Sequence, residues 1–186
     1  MFVSIRAFYI DSMREPTKFR WILGLTLFCV VGSGTDGGAY FAFSTFVMQA
    51  LRRLPPAAAV QAMQEIDRAA ENLWFAIALF GTGIAAIILG ASSIKRLTTP
   101  AAKYLLTGSL VYLASLLVTF GCNVPLNNAL DMVKPDSADA MRSWQRYWEV
   151  WMVWNHIRTI TALASTGLFS AAGFYLGQGM RQGEEQ

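Results

Sequence analysis

Apolar residues run through this chain in four long blocks separated by short polar segments. No charged residue lies between Leu73 and Ile94, between Tyr104 and Leu130, or between Thr159 and Met180, stretches of 22, 27 and 22 residues. A fourth block, Trp21 to Leu51, holds 31 residues and one charge, Asp36. A helix needs roughly 20 mostly apolar residues to cross a bilayer, so each block is long enough to span one. In hydrocarbon each backbone amide must find its partner within the protein, and a lone segment can do that only as a helix. The pattern therefore predicts an all-α protein, a four-transmembrane-helix bundle with short interfacial helices in the two long loops. The candidate spans are about residues 21–48, 73–94, 104–121 and 157–178, within a single integral membrane domain over residues 1–186.

The joints follow from local chemistry. Helix one starts near Trp21 and runs on until Pro55-Pro56 stops it, because proline cannot continue a helix. Its middle, Gly32-Ser33-Gly34-Thr35-Asp36-Gly37-Gly38-Ala39, holds almost nothing larger than threonine, as expected of a close helix–helix contact in lipid. Between Ala57 and Asn72, Val60, Met63, Ile66 and Ala70 recur every three or four residues, which predicts a short amphipathic helix at the interface. Thr99 before Pro100 reads as an N-cap with proline at the first helical position. Helix three is expected to end near Gly121, ahead of Pro125. An aromatic-rich helix from Ala140 to Trp154 then leads into helix four.

Composition agrees with this picture. Hydrophobic residues make up 54% of the chain and charged residues 15%, with a mean hydropathy of +0.38. Soluble domains carry about a quarter charged residues, so disorder, a coiled-coil rod and an ordinary cytosolic enzyme are excluded. The net charge of +3 suggests no nucleic acid partner, since the bases are scattered over the loops and ends rather than clustered. Cys29 and Cys122 both fall within predicted spans and fit no disulfide framework or zinc site. The first segment lacks a small-residue cleavage site and reads as a retained helix. With both termini on one side, that side carries Arg6, Arg14, Lys18, Arg20, Lys95, Arg96, Lys103 and Arg181, eight bases against seven. The first set is denser per loop residue, which favours both termini in the cytoplasm of a cell (inner) membrane protein.

The few polar residues near the spans are the candidates for chemistry. Trp144, Tyr147, Trp148, Trp151 and Trp154 recur at spacings of three and four and cover about a third of a helix circumference. They form either an aromatic belt at the headgroup level or a wall for a flat apolar ligand. Asn155 and Arg158 share that arc, whereas His156, the one histidine, points elsewhere. His156 is a candidate general base, because imidazole titrates near neutral pH. A lone histidine is poor ground for a metal, and the sequence requires no cofactor. Arg158 must snorkel or find a partner inside the bundle. Asn123 and Asn127 flank Pro125, where their amides either satisfy a carbonyl freed by the proline or hold a ligand oxygen. Asp36 is the one acid within a span, at a depth the sequence leaves open.

Several strings resemble the anthrone oxygenase-like family of membrane proteins. They are Tyr40-Phe41-Ala42-Phe43-Ser44-Thr45-Phe46-Val47-Met48 with Leu51-Arg52-Arg53-Leu54-Pro55-Pro56, then Met63-Gln64 with Ile66, Gly81-Thr82 and Asn123-Val124-Pro125-Leu126-Asn127. The last block is Trp144, Tyr147 and Trp151 followed by Trp154-Asn155-His156-Ile157-Arg158-Thr159. The chain departs from the family pattern at Asp36 and at Gln49. The resemblance implies a four-helix membrane fold and, by extension from fungal relatives, oxidation of a flat polyketide anthrone to an anthraquinone with molecular oxygen. On that reading His156 is the base, with Asn123 and Asn127 as catalytic oxyanion donors. Trp144, Tyr147, Trp148, Trp151, Asn155, Arg158 and Ser44 then bind substrate. The competing expectation is a non-enzymatic membrane protein whose polar cluster packs helices or binds a lipid or partner.

Overall fold

A computed structural model describes residues 16–184, and every regular element among them is helical. Helix α1 (Pro16–Ala42) continues through a π-helical turn, Phe43–Val47, into α2 (Met48–Arg52). Pro56 opens α3 (Pro56–Ala70) at its first turn, where a missing N–H costs nothing. The Asn72 side chain accepts from the Phe75 amide at 3.0 Å and so caps α4 (Leu73–Ala76), which passes through a second π turn, Ile77–Gly81, into α5 (Thr82–Ser93). As expected, Thr99 caps α6 (Pro100–Val118), its hydroxyl accepting from the Ala102 amide. A third π turn, Thr119–Asn123, leads into α7 (Val124–Asp131). The last helix, α8, is one unbroken element, Ala140–Glu184.

Four helical stretches are long and apolar enough to cross a membrane: Phe19–Arg52, Leu73–Arg96, Pro100–Asp131 and Ala140–Gly179. The protein is a multi-pass membrane protein. Exposed Trp21 and Trp74 stand at opposite ends of the apolar belt, where indole rings favour the headgroups. Span four packs along spans one and three, and span two lies against the same pair. The small-residue stretch makes the predicted contact. A methyl group on Gly32 would fall 1.8 Å from the Thr82 hydroxyl of span two, and one on Gly37 would fall 2.7 Å from Leu163 of span four. Only glycine lets these backbones approach so closely. Ser33 adds a hydrogen bond to Thr166 across the same seam, at 2.9 Å.

Two expectations are corrected. Pro125 does not end helix three, which continues to Asp131. The π turn before the proline shifts the hydrogen-bond register so that the Val124 amide reaches back to Thr119, and the missing proline donor is absorbed. The aromatic segment, in turn, is not a separate helix, because Ala140 to Trp154 is the outer part of α8. At 1.5 Å per residue the helix is about 68 Å long, against a hydrocarbon core of about 30 Å. The outer ends of the spans and α3 therefore form a cap beyond the apolar belt. The apolar face of α3 is buried against this cap, with Val60 and Met63 packed among Met48, Leu130, Trp144 and Trp151. Of the residues used for topology, Arg6 and Arg14 lie outside the described residues.

Candidate functional site

Polar side chains collect where spans one, three and four converge under the cap. Span one contributes Asp36, Tyr40 and Ser44 at four-residue spacing, which places them on one helix face. Span three contributes Tyr112, Ser115, Thr119 and Asn123; span four contributes Trp151, Asn155, Arg158 and Thr159. All except Ser44 are buried. The π turns sit within this region. Ser44 lies in the first, the carbonyl of Leu79 in the second, and Thr119 and Asn123 in the third. Such turns re-aim side chains and concentrate at functional sites.

Two levels can be distinguished. At the deeper one the Tyr112 hydroxyl lies 2.5 Å from Asp36 Oδ2 and 3.1 Å from the Leu79 carbonyl, tying spans one, two and three together. Asp36 is fully buried inside the protein, near the middle of its 34-residue span. Its Oδ1 atom has no partner among the described residues. Above it lies Arg158, 8% exposed, with its guanidinium 4.1 Å from the Tyr40 ring centre and 5.0 Å from that of Trp151. Its Nε donates to Asn155 Oδ1 at 2.9 Å, while no described carboxylate comes within ion-pair distance of it. The Tyr40 hydroxyl and Asn123 Oδ1 are also buried without partners among the described residues.

The predicted site residues gather at this rim in three roles. The aromatic stripe is cap core rather than a lipid-facing belt. Trp144, Tyr147 and Trp151 are buried and their rings stack in sequence at 5.8 and 6.0 Å, while Trp148 and Trp154 are partly buried. Arg52 lies 4.2 Å over the Trp148 ring. Asn127 has both ends of its amide occupied. It donates to Asp67 at 2.9 Å and accepts from the Tyr147 hydroxyl at 2.9 Å and the Trp151 indole at 2.7 Å. Asn123 donates to the Trp151 carbonyl over a long 3.4 Å.

His156 stands apart, as its position off the aromatic arc implied. It is exposed at the seam between spans one and four, with Nδ1 3.0 Å from Ser44 Oγ. Ser44 in turn receives Asn155 Nδ2 at 2.8 Å and meets Thr159 Oγ1 at 3.0 Å. Residue types alone did not mark Tyr112, Thr159 or Asp67 as members of the site. Thr159 had a usable signal, one turn after Asn155 on the same face. Tyr112 and Asp67 find their partners at sequence separations of 76 and 60, where no local pattern exists. Asp67 lies in α3, outside the spans. Burial pushes its carboxyl up to about 6, with Arg158 pulling the other way and Asp131 and Glu71 adding to the rise. Among the described residues no group of three or more His, Cys, Asp or Glu side chains is arranged to hold a metal ion.

This architecture defines a class: a helical multi-pass membrane protein with a buried cation and an aromatic-walled polar interior under an extramembrane cap. Residues 70–168, more than half of the chain, match the family model described as anthrone oxygenase. The chain belongs to that family. The match takes in Asn123, Asn127 and the whole block from Trp144 to Thr159, while the first-helix string from Tyr40 to Pro56 precedes it. No curated protein and no solved structure matches the chain.

Proposed function

We propose that this protein oxidises a flat, enolisable aromatic substrate of the anthrone class with molecular oxygen, at the rim where the bundle meets its cap. One observation carries the reading. Arg158 is a buried guanidinium flanked by the rings of Tyr40 and Trp151, and no described carboxylate lies within ion-pair distance of it. A cation with no carboxylate in contact is costly to hold in a low-dielectric interior. It is also a ready site for an anion whose charge is spread over an apolar ring system. An anthrone that loses a proton from its benzylic carbon becomes such an anion.

The chemistry balances without a further oxidant. A base removes one benzylic proton, and the enolate passes an electron to O2. The resulting radicals combine to a peroxide anion at the same carbon, which takes the proton back from the base to become the hydroperoxide. Loss of water leaves the quinone carbonyl, so one oxygen atom enters the product and the other leaves with both benzylic hydrogens. His156 is the base in this reading; Asn123 and Arg158 hold the enolate oxygen or an adjacent phenol. Asn127 braces the aromatic roof. His156 and Arg158 face opposite sides of α8, so the substrate enters edge-on at Ser44, one rim in lipid and the other in the polar interior. We further propose that both termini lie on the cytoplasmic side of the cell membrane, as the denser basic flanks on that side favour.

A second reading has its own support. Asn127 and Asn155 spend both amide ends on protein partners, as helix fasteners do. The readings separate in detergent-purified protein supplied with an anthrone. An oxygenase loses oxygen uptake in His156→Ala and Arg158→Gln while its melting temperature holds. A helix fastener has no uptake above the spontaneous rate to lose.

A further inference from the structure

The protons around Ser44 can be placed one by one, starting from the atom that can only donate. Arg158 Nε carries a hydrogen and no lone pair for bonding. Its partner on Asn155, 2.9 Å away, is therefore the amide oxygen. That orientation turns the Asn155 NH2 towards the Tyr40 carbonyl at 2.9 Å and Ser44 Oγ at 2.8 Å, where Ser44 must accept. Thr159 Oγ1 lies 2.6 Å from the Asn155 backbone carbonyl, which can only accept, so the single Thr159 proton is spent there. The 3.0 Å contact between Ser44 and Thr159 then requires Ser44 to donate. A hydroxyl has one proton, and that of Ser44 is now used. The remaining contact, His156 Nδ1 to Ser44 Oγ at 3.0 Å, is a hydrogen bond only if the histidine donates. In this arrangement Ser44 donates once and accepts twice, the full capacity of a hydroxyl. The reverse arrangement leaves two oxygens 3.0 Å apart with no proton between them.

We propose that Arg158, Asn155, Thr159 and Ser44 together lock neutral His156 in the Nδ1–H tautomer, leaving Nε2 as a bare base on this exposed residue. The outward neighbours of His156 along its helix, Val153, Ile157 and Ile160, are exposed and apolar. These neighbours favour an apolar molecule reaching the base from outside the bundle. Ser44 and Thr159 are positioning residues that fix which nitrogen is free. The meaning for catalysis rests on His156 being the base, whereas the tautomer itself does not, so the two can fail separately.

Because His156 is the single histidine of the chain, ¹⁵N-histidine labelling yields one pair of ring nitrogens. Spectra of the full chain in lipid nanodiscs at about pH 9, above the usual histidine range, should show Nδ1 protonated and Nε2 bare. This is the reverse of the tautomer that free imidazole side chains prefer in water. Thr159→Val removes the acceptor of the Ser44 proton, which can then turn to Nδ1, so the ring should switch to the Nε2–H form. Thr159→Ser keeps the hydroxyl and should keep the wild-type spectrum. Turnover should fall by at least about 10²-fold in Thr159→Val with KM little changed, and return in Thr159→Ser. A wild-type ring protonated mainly on Nε2, or a Thr159→Val spectrum identical to wild type, would overturn the assignment. A wild-type Nδ1–H signal together with a fully active His156→Ala would leave the tautomer standing and remove the base.

Discussion

Below the level of Asp36 the helices meet through glycine and serine. Gly32 sits against Thr82, Ser165 donates to the Gly108 carbonyl, and Phe169 and Leu89 fill the remaining core. From Asp36 upward three of the four spans carry a π turn, and the side chains between them are Tyr, Asn, Arg and Trp. The lower half satisfies its backbone and packs closely, as lipid requires. The upper half departs from regular helix and leaves Asp36 Oδ1, the Tyr40 hydroxyl and Asn123 Oδ1 buried without described partners. Native interiors leave few such atoms unpaired. The lower half leaves the Thr82 and Ser109 hydroxyls in the same state, so what sets the upper half apart is the buried Arg158 guanidinium between two aromatic rings and the π turns around it.

The largest effect expected is in the cap. Trp151→Ala removes a fully buried ring that touches Phe43, Tyr147, Asn127 and Arg158. It should cost about 3–5 kcal/mol, read as a lowered melting temperature. Next comes the lower half, where Gly32→Ala places a methyl group against the Thr82 hydroxyl and should cost about 1–3 kcal/mol. Thr82→Ala should recover part of that loss. The Thr82 hydroxyl has no described hydrogen-bond partner, so removing it alone should cost little. Activity per folded molecule should survive both changes, and its loss would break the division between halves.

A smaller effect is set by pH. Because Asp67 is held above its ordinary value of 3.8, the folded cap keeps a proton that the unfolded chain releases between pH 3.8 and about 6. This stabilisation is complete below the unfolded value and is lost as pH rises through about 6. Melting should therefore show a decline over that window worth about 1–2 kcal/mol, and Asp67→Asn should flatten it. The smallest effect is at the surface, where Arg68 bonds to exposed Glu65 and Asp131. Arg68→Ala should leave both melting and turnover unchanged, as exposed pairs contribute little.

How far the sequence carried depended on distance along the chain. The spans, the Thr99 cap, the glycine seam and the apolar face of α3 all follow from neighbours a few residues apart, and their physics is local. The π turns escaped because one inserted residue in a helix that is apolar all round leaves no mark in the hydrophobic period. Pro125 was misread for the same reason: without the π turn before it, a stop is the correct inference. At the site, the shared arc of Trp151, Asn155 and Arg158 and the divergence of His156 were legible from helical geometry. The pairing of Asp36 with Tyr112, and of Asn127 with Asp67, joins elements whose association is decided only by assembly of the bundle.

Oxygen uptake by the purified protein in nanodiscs, given an anthrone and corrected for spontaneous oxidation, bears most directly on the claim that the upper half exists for chemistry. One O2 consumed per quinone formed, with the activity lost in Arg158→Gln at unchanged melting temperature, is the predicted result. Wild-type uptake no faster than the protein-free rate, or an Arg158→Gln variant that turns over normally, would contradict it.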